Sequence, residues 1–335
     1  MIDFDFPSFK PHPFIRNAHL QTAVATWFPG SVALQQTVRR EVLLDDGDRI
    51  VLHDDCPDEW RDGDRFALLV HGLGGSHRSG YMARTAAKLY SRGIRAMRMD
   101  LRGCGAGFDK ARGSCHAGKY DDVVAVLNEI KELCPGATVT LVGFSMAGNV
   151  ALYMAGQLAG QTPVNLDRII SVAPPIDLMA CGINMRQWHV RPYDWAFTRS
   201  LRRQVDRRRQ FVPDYGDVDV RQLPRRLWEF DDLYTSQLFG FDGAEDYYRK
   251  CSSAHVLKSI QLPTQIVTAA DDPVIPVDMF KRVELSPSVA LHVTEYGGHV
   301  GFVGVKGVDP DRRWLDWRIV DWVAGHHFNS RPLIA

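Results

Sequence analysis

The sequence predicts an α/β fold: a doubly wound, mostly parallel sheet of about eight strands, carrying a helical cap insertion. Three observations predict it. Short runs at 66–70, 94–99 and 139–142 read as strands, and the first and last have the apolar composition of strands covered on both faces. Segments with helical spacing, such as 80–92 and 119–133, alternate with those runs. That alternation stops near residue 176 and resumes near residue 259. Strand–helix alternation argues for parallel strands with crossover helices, and the interruption argues for an insertion between two parts of one core.

Residues 1–35, rich in proline and aromatics, read as an irregular N-terminal arm packed on the core, with a place beside the substrate cleft as the alternative. The first part of the core spans 36–175. Residues 38–44 alternate and read as a strand, Asp46-Gly47-Asp48 is a turn signal, and 49–53 read as the returning strand of a hairpin. The strand at 66–70 ends in His71-Gly72-Leu73-Gly74-Gly75-Ser76. A helix over 80–92 is stopped by Gly93. After the strand at 94–99 comes Asp100-Leu101-Arg102-Gly103-Cys104-Gly105. In the helix over 119–133, Val123, Val124, Leu127 and Ile130 form one face. Asp121 and Asp122 at its start suit N-terminal capping and the helix dipole. The helix after the third apolar run extends to about residue 159, and a strand at 168–172 ends at Ala173-Pro174-Pro175.

Residues 176–258 read as the helical cap, with no clear strand. Their arginines, including Arg199, Arg202, Arg203, Arg207, Arg208 and Arg209, read as a solvated helix face, with contact to an anionic headgroup or phosphate as the alternative. Asp231-Asp232 before Leu233-Tyr234 hints weakly at a cation site. The second part of the core, 259–335, holds strands at 264–268 and 289–294, a short helix at 277–283 and an amphipathic helix over 312–325.

Composition narrows the function. Forty basic and 40 acidic side chains give zero formal charge, so no global field favours nucleic acid. No apolar run reaches the length of about 18 residues needed to span a membrane. The first seven residues carry acids where a signal peptide carries bases, which places the expectation in the cytoplasm. Six cysteines without a C-x-x-C pair read as free thiols in a reducing compartment. No His-Glu-x-x-His pattern appears. Gly103-Cys104-Gly105-Ala106-Gly107 lacks the setting of a dinucleotide fingerprint. Neither a metal nor another cofactor is expected.

The chemistry centres on Gly143-Phe144-Ser145-Met146-Ala147. A strand, a sharp turn carrying one serine and a helix start make a nucleophile elbow. Alanine stands at 147 where glycine is usual, which tightens the contact between strand and helix. A serine hydroxyl needs an adjacent base. Beyond the carboxyl ends of later strands, where such sheets bind ligands, come Asp271-Asp272-Pro273 and Gly297-Gly298-His299. His299 would act as the base and Asp272 would orient it. Asp272, directly before Pro273, is favoured over Asp271. The backbone N–H groups of Leu73 and Met146 would hold an oxyanion, with His71 orienting the glycine loop.

Together with Asn17-Ala18-His19-Leu20-Gln21-Thr22, Asp231-Asp232-Leu233-Tyr234 and Tyr247-Tyr248, these motifs resemble the YheT-like (EMB8-like) branch of the α/β-hydrolases over roughly residues 10–325. The resemblance implies an α/β-hydrolase fold and carboxylic-ester hydrolysis, with some eukaryotic relatives acting on phospholipids. A serine esterase using Ser145, His299 and Asp272 through an acyl-enzyme, on short- to medium-chain acyl groups, is therefore the expectation. The alternatives are phospholipid or thioester hydrolysis, acyl transfer on the same triad, or a non-catalytic binding protein that keeps the fold. A small-molecule ester or lipid is the expected partner, with peripheral lipid contact through the cap.

Overall fold

The computed structural model describes residues 8–28, 37–212, 219–307 and 309–325. Eight strands form one sheet: β1 (Val38–Leu43), β2 (Arg49–Asp55), β3 (Arg65–Val70), β4 (Arg95–Asp100), β5 (Thr138–Phe144), β6 (Leu166–Val172), β7 (Thr264–Ala269) and β8 (Val289–Thr294). Their order is β1-β2-β4-β3-β5-β6-β7-β8. β2 runs antiparallel to both neighbours, and every other pairing is parallel.

Two-residue periodicity sorts the strand side chains into two layers. Phe66, Leu68 and Val70 of β3 share one core with Val139 and Leu141 of β5. Ala67 and Leu69 enter the opposite core with Val142 and Phe144. The first layer is closed by α3 (Asp121–Leu133) and α4 (Met146–Gln157). The second is closed by α2 (Gly80–Tyr90) and the C-terminal helix Trp314–Val323. Both faces of the central strands are thus dry, which is why they read as continuous apolar runs. Charged strand residues are paired. Arg95 on β4 grips Asp54 on β2 through contacts of 2.9 and 2.6 Å, and Arg98 reaches Asp55 at 2.8 Å. A one-residue slip would leave these buried charges unpaired.

The structure departs from the sequence reading in three places. The expected arm, within its described residues, contains α1 (Ala18–Trp27) rather than only irregular chain. Asn17 caps that helix, its side chain accepting the N–H groups of His19 and Leu20. Asp122 does not cap α3. It is buried and takes a two-pronged grip from Arg102 at 2.6 and 3.0 Å. Finally, the arginine run is not all solvated. Arg208 is 1% exposed and donates to the carbonyls of Ala111, Arg112 and Gly113.

Between β6 and β7 the described residues hold α5 (Leu178–Met185), α6 (Arg191–Arg208), α7 (Leu227–Phe230), a π-helical turn (Asp231–Thr235), α8 (Ser236–Phe239) and α9 (Ala244–Cys251), with no strand. The C-terminal helix is α10. Among the described residues no helix is long and apolar enough to cross a membrane.

Candidate active site

The site forms at the carboxyl edge of the sheet. β5 ends at Phe144 and α4 starts at Met146, so Ser145 alone makes the turn. Its φ of 52° and ψ of −120° form a strained conformation for a residue with a Cβ. Two contacts sustain it. The Ser145 N–H donates to Val172 O on β6 at 2.8 Å, and Gly148 N–H donates back to Ser145 O at 2.8 Å. Gly143 has to be glycine, because a Cβ there would lie 2.4 Å from Ala147 O. Ala147 is a different case: its methyl is buried in the core beside α4's neighbours at 2% exposure. The tightness of this elbow falls on position 143.

The loops after β7 and β8 bring Asp272 and His299 to Ser145. His299 Nε2 lies 3.0 Å from Ser145 Oγ, and Nδ1 lies 2.9 Å from Asp272 Oδ2. Asp272 Oδ1 accepts the N–H groups of Val274 and Ile275 at 2.8 and 3.0 Å, which turns Oδ2 toward the imidazole. The carboxylate is fully enclosed and the imidazole is one-tenth exposed. Asp271 points elsewhere, its Oδ1 accepting Gly298 N–H at 2.9 Å.

The glycine loop after β3 lies directly against the serine. A Cβ on Gly72 would come within 2.9 Å of Ser145 Cβ. His71 is completely buried. It accepts Leu101 N–H at Nε2, so its proton sits on Nδ1 and is donated to Gly72 O at 2.8 Å. Burial holds its pKa below the usual histidine value, and a neutral imidazole thus pins the loop. Leu73 and Met146 line the same cavity as Ser145. Among the described residues neither of their N–H groups donates to a protein acceptor, which leaves both for a ligand oxygen.

Sequence reasoning missed what supports His299. α1 lies across the histidine loop, and Gly298 (φ +57°) permits the approach, since a Cβ there would be 2.4 Å from Ala18 O. Thr22 Oγ1 accepts the His299 N–H at 2.9 Å. Gln21 is wholly buried and bonds both ways: Nε2 donates to Val303 O at 3.0 Å and Oε1 accepts Val303 N–H at 2.7 Å. The available signal was Asn17, a helix-capping residue directly before α1; it marks a helix start but not the contact with His299. Asn149, one turn beyond Ser145, is equally buried and ties α4 to Ala117, Cys251 and Ser253.

Ser145 faces a cavity with a mainly apolar lining. Leu178, Cys181 and Met185 of α5, Phe197 of α6, Leu227 and Tyr248 contribute from the inserted helices, and Val274 and Ile275 from the core. Asp231 is the one carboxyl among the lining residues. α6 also touches the glycine loop, where Ser200 Oγ donates to Gly74 O at 3.2 Å.

Comparison with known proteins agrees with this architecture. A family model described as the alpha/beta hydrolase fold matches residues 68–304. The YheT protein of Escherichia coli (strain K12) is 32% identical, over 94% of this chain and 92% of its own. Phospholipase ABHD3 of Mus musculus is 30% identical, over 72% of this chain and 59% of its own. Among solved structures, the Pyrococcus furiosus esterase Pf2001 superposes with a TM-score of 0.57 at 15% identity, covering 89% of this chain and 97% of that one.

Proposed function

Because the chain belongs to the YheT-like branch of the α/β-hydrolase family, we propose that it is a serine hydrolase cleaving carboxylic esters with short- to medium-chain acyl groups. One observation carries this reading: the unbroken chain from Ser145 Oγ through His299 to Asp272, set at a strained turn against an apolar cavity. Ser145 Oγ attacks the ester carbonyl while His299 Nε2 takes its proton. The oxygen that becomes negative is held by the N–H groups of Leu73 and Met146. His299 then gives the proton to the departing alkoxide, which leaves as alcohol, and the acyl group stays on Ser145. Water repeats the sequence and releases the acid. Asp272 keeps the proton of the neutral imidazole on Nδ1 and stabilises its cation.

A panel of p-nitrophenyl esters from acetate to laurate tests this, together with a fluorophosphonate probe. We expect turnover of the shorter chains and a single labelled peptide containing Ser145. No turnover at any chain length and no label would overturn the proposal. Thr22→Val probes the support of His299. The swap preserves shape but removes the acceptor of its N–H. A misplaced catalytic group can cost about a hundredfold, and this smaller displacement should lower kcat about tenfold at unchanged KM. A loss seen in KM instead would assign Thr22 to the cavity wall.

A specific observation favours a lipid source for the ester. Residues 191, 195, 199, 203 and 207 of α6 are Arg, Trp, Arg, Arg and Arg, spaced four apart and all exposed. Like charges at this spacing repel, and among the described residues none of these arginines forms an ion pair. Trp188, just before α6, is 80% exposed. Such a stripe suits the interface of an anionic bilayer. We propose peripheral lipid contact there, with phospholipid deacylation as the variant reaction. Sedimentation of Ser145→Ala protein with vesicles of phosphatidylcholine, alone or mixed with phosphatidylglycerol, checks it. Binding should require the anionic lipid, and Arg199→Gln with Arg203→Gln should weaken it about 30-fold, at about 1 kcal/mol per cation. Equal binding to both vesicle types would remove the arginines from the account. We further assign the enzyme to the cytoplasm, where its six cysteines stay reduced; cell fractionation tests that.

A further inference from the structure

The reaction just described makes no use of Asp231, although its side chain lies in the wall of the cavity that Ser145 faces. The sequence pairs it with Asp232, and the structure separates the two. Asp232 Oδ1 accepts the Ala244 N–H at 2.8 Å at the start of α9, which accounts for its presence. Asp231 opens the π-helical turn, a distortion that recurs at functional sites.

Among the described residues, the surroundings of Asp231 contain no balancing charge. Tyr248 donates its hydroxyl to Oδ2 at 2.7 Å, and Thr235 donates to Oδ1 at 2.8 Å. Both donors are neutral. Among the described residues no lysine, arginine or histidine pairs with this carboxylate. Burial raises its pKa to about 6, so at neutral pH it is mostly ionised. An enclosed anion without a cation is costly, and such groups cluster at functional sites. Two hydroxyls hold its inner lone pairs and orient the group without cancelling its charge.

The chemistry of the remaining wall says which cation would fit. Phe197, Tyr247 and Tyr248 bring three aromatic rings to the same cavity, with Leu178, Met185 and Leu227 beside them. Trp228 backs Tyr248 edge-on at 5.3 Å between ring centres. A hard divalent ion needs several oxygen ligands, and the lining offers one carboxylate. An alkylated ammonium group needs the opposite: one counter-charge, aromatic faces and apolar contact around its methyl or methylene groups. We propose that Asp231, with Phe197, Tyr247 and Tyr248, forms a subsite for an ammonium group carried by the ester substrate. This names the substrate class and rests on the ester-hydrolase reading for turnover, but not for binding.

Choline and 3,3-dimethylbutan-1-ol have the same shape and differ in the charge, so they are the probes. Binding is measured by calorimetry on the Ser145→Ala protein, which needs no turnover. Choline should bind about tenfold more tightly than the neutral alcohol. Asp231→Asn should bring the two together. Tyr248→Phe, which keeps the carboxylate, should retain the preference. With wild-type enzyme, butyrylcholine should exceed 3,3-dimethylbutyl butyrate in kcat/KM by about the same factor, through KM. Equal binding of the two alcohols by the Ser145→Ala protein overturns the subsite, whether or not Asp231→Asn folds. So does a preference that survives Asp231→Asn. If choline is preferred but neither ester is cleaved, the subsite stands and the hydrolase reading falls. If both esters are cleaved without preference, the subsite alone falls.

Discussion

Replacing Ser145 with alanine is expected to lower kcat on p-nitrophenyl butyrate by about a millionfold, the scale seen when a serine triad loses its nucleophile. The effect is this large because no other group can form the acyl-enzyme. Among the described residues that line the cavity, burial keeps the Tyr247 and Tyr248 hydroxyls protonated, and Cys181 carries the one thiol. Burial pushes its thiol well above the ordinary range, so it stays protonated. Alanine keeps the Cβ, so the backbone strain at φ 52° is unchanged. The substitution should leave Tm within a few degrees of wild type. Residual turnover of the variant reports what the Leu73 and Met146 N–H groups contribute by themselves, since neither depends on the hydroxyl. Stopped-time assays with purified protein, paired with fluorophosphonate labelling, read both quantities. A loss of less than tenfold would mean that another group performs the chemistry.

How much of this was readable from the chain depends on how local each signal is. Ser145, Asp272 and His299 each follow a strand within a few residues, and each sits beside residues that only a sharp turn explains: Gly143, Pro273, and Gly297 with Gly298. Their meeting follows from parallel strands that end on one edge of a sheet. Gln21 and Thr22 could not be found that way. Their contacts cross 282 and 277 residues of sequence, and on a helix that pairs with the far end of the chain no periodicity announces them. The failures at Asp122 and Arg208 have a common physical cause. Composition treats a charged side chain as solvated, but Arg102 and three backbone carbonyls supply these two with buried partners. Cys104 and Cys115 show the same limit for sulfur. Eleven residues apart and in no recognised motif, their sulfurs lie 3.7 Å from each other.

The two adjacent carboxyls after β7 allow a sharper test than deletion. Asp272→Asn is expected to lower kcat about 10⁴-fold, and Asp271→Asn less than tenfold. In Asp272→Asn, Oδ1 can still accept the N–H groups of Val274 and Ile275. The amide nitrogen then replaces Oδ2 beside His299 Nδ1, where the two atoms are 2.9 Å apart. Two N–H donors cannot face each other, so the imidazole must move its proton to Nε2. That is the atom 3.0 Å from Ser145 Oγ, and once protonated it can no longer accept the serine proton. Geometry survives while the base is lost. At position 271 the same exchange is mild, because an asparagine oxygen still accepts the Gly298 N–H that Asp271 Oδ1 holds. Parallel measurement of kcat for the two variants, with circular dichroism as a control on folding, decides between the neighbours. Equal losses would mean that the whole loop, rather than one carboxylate, governs His299.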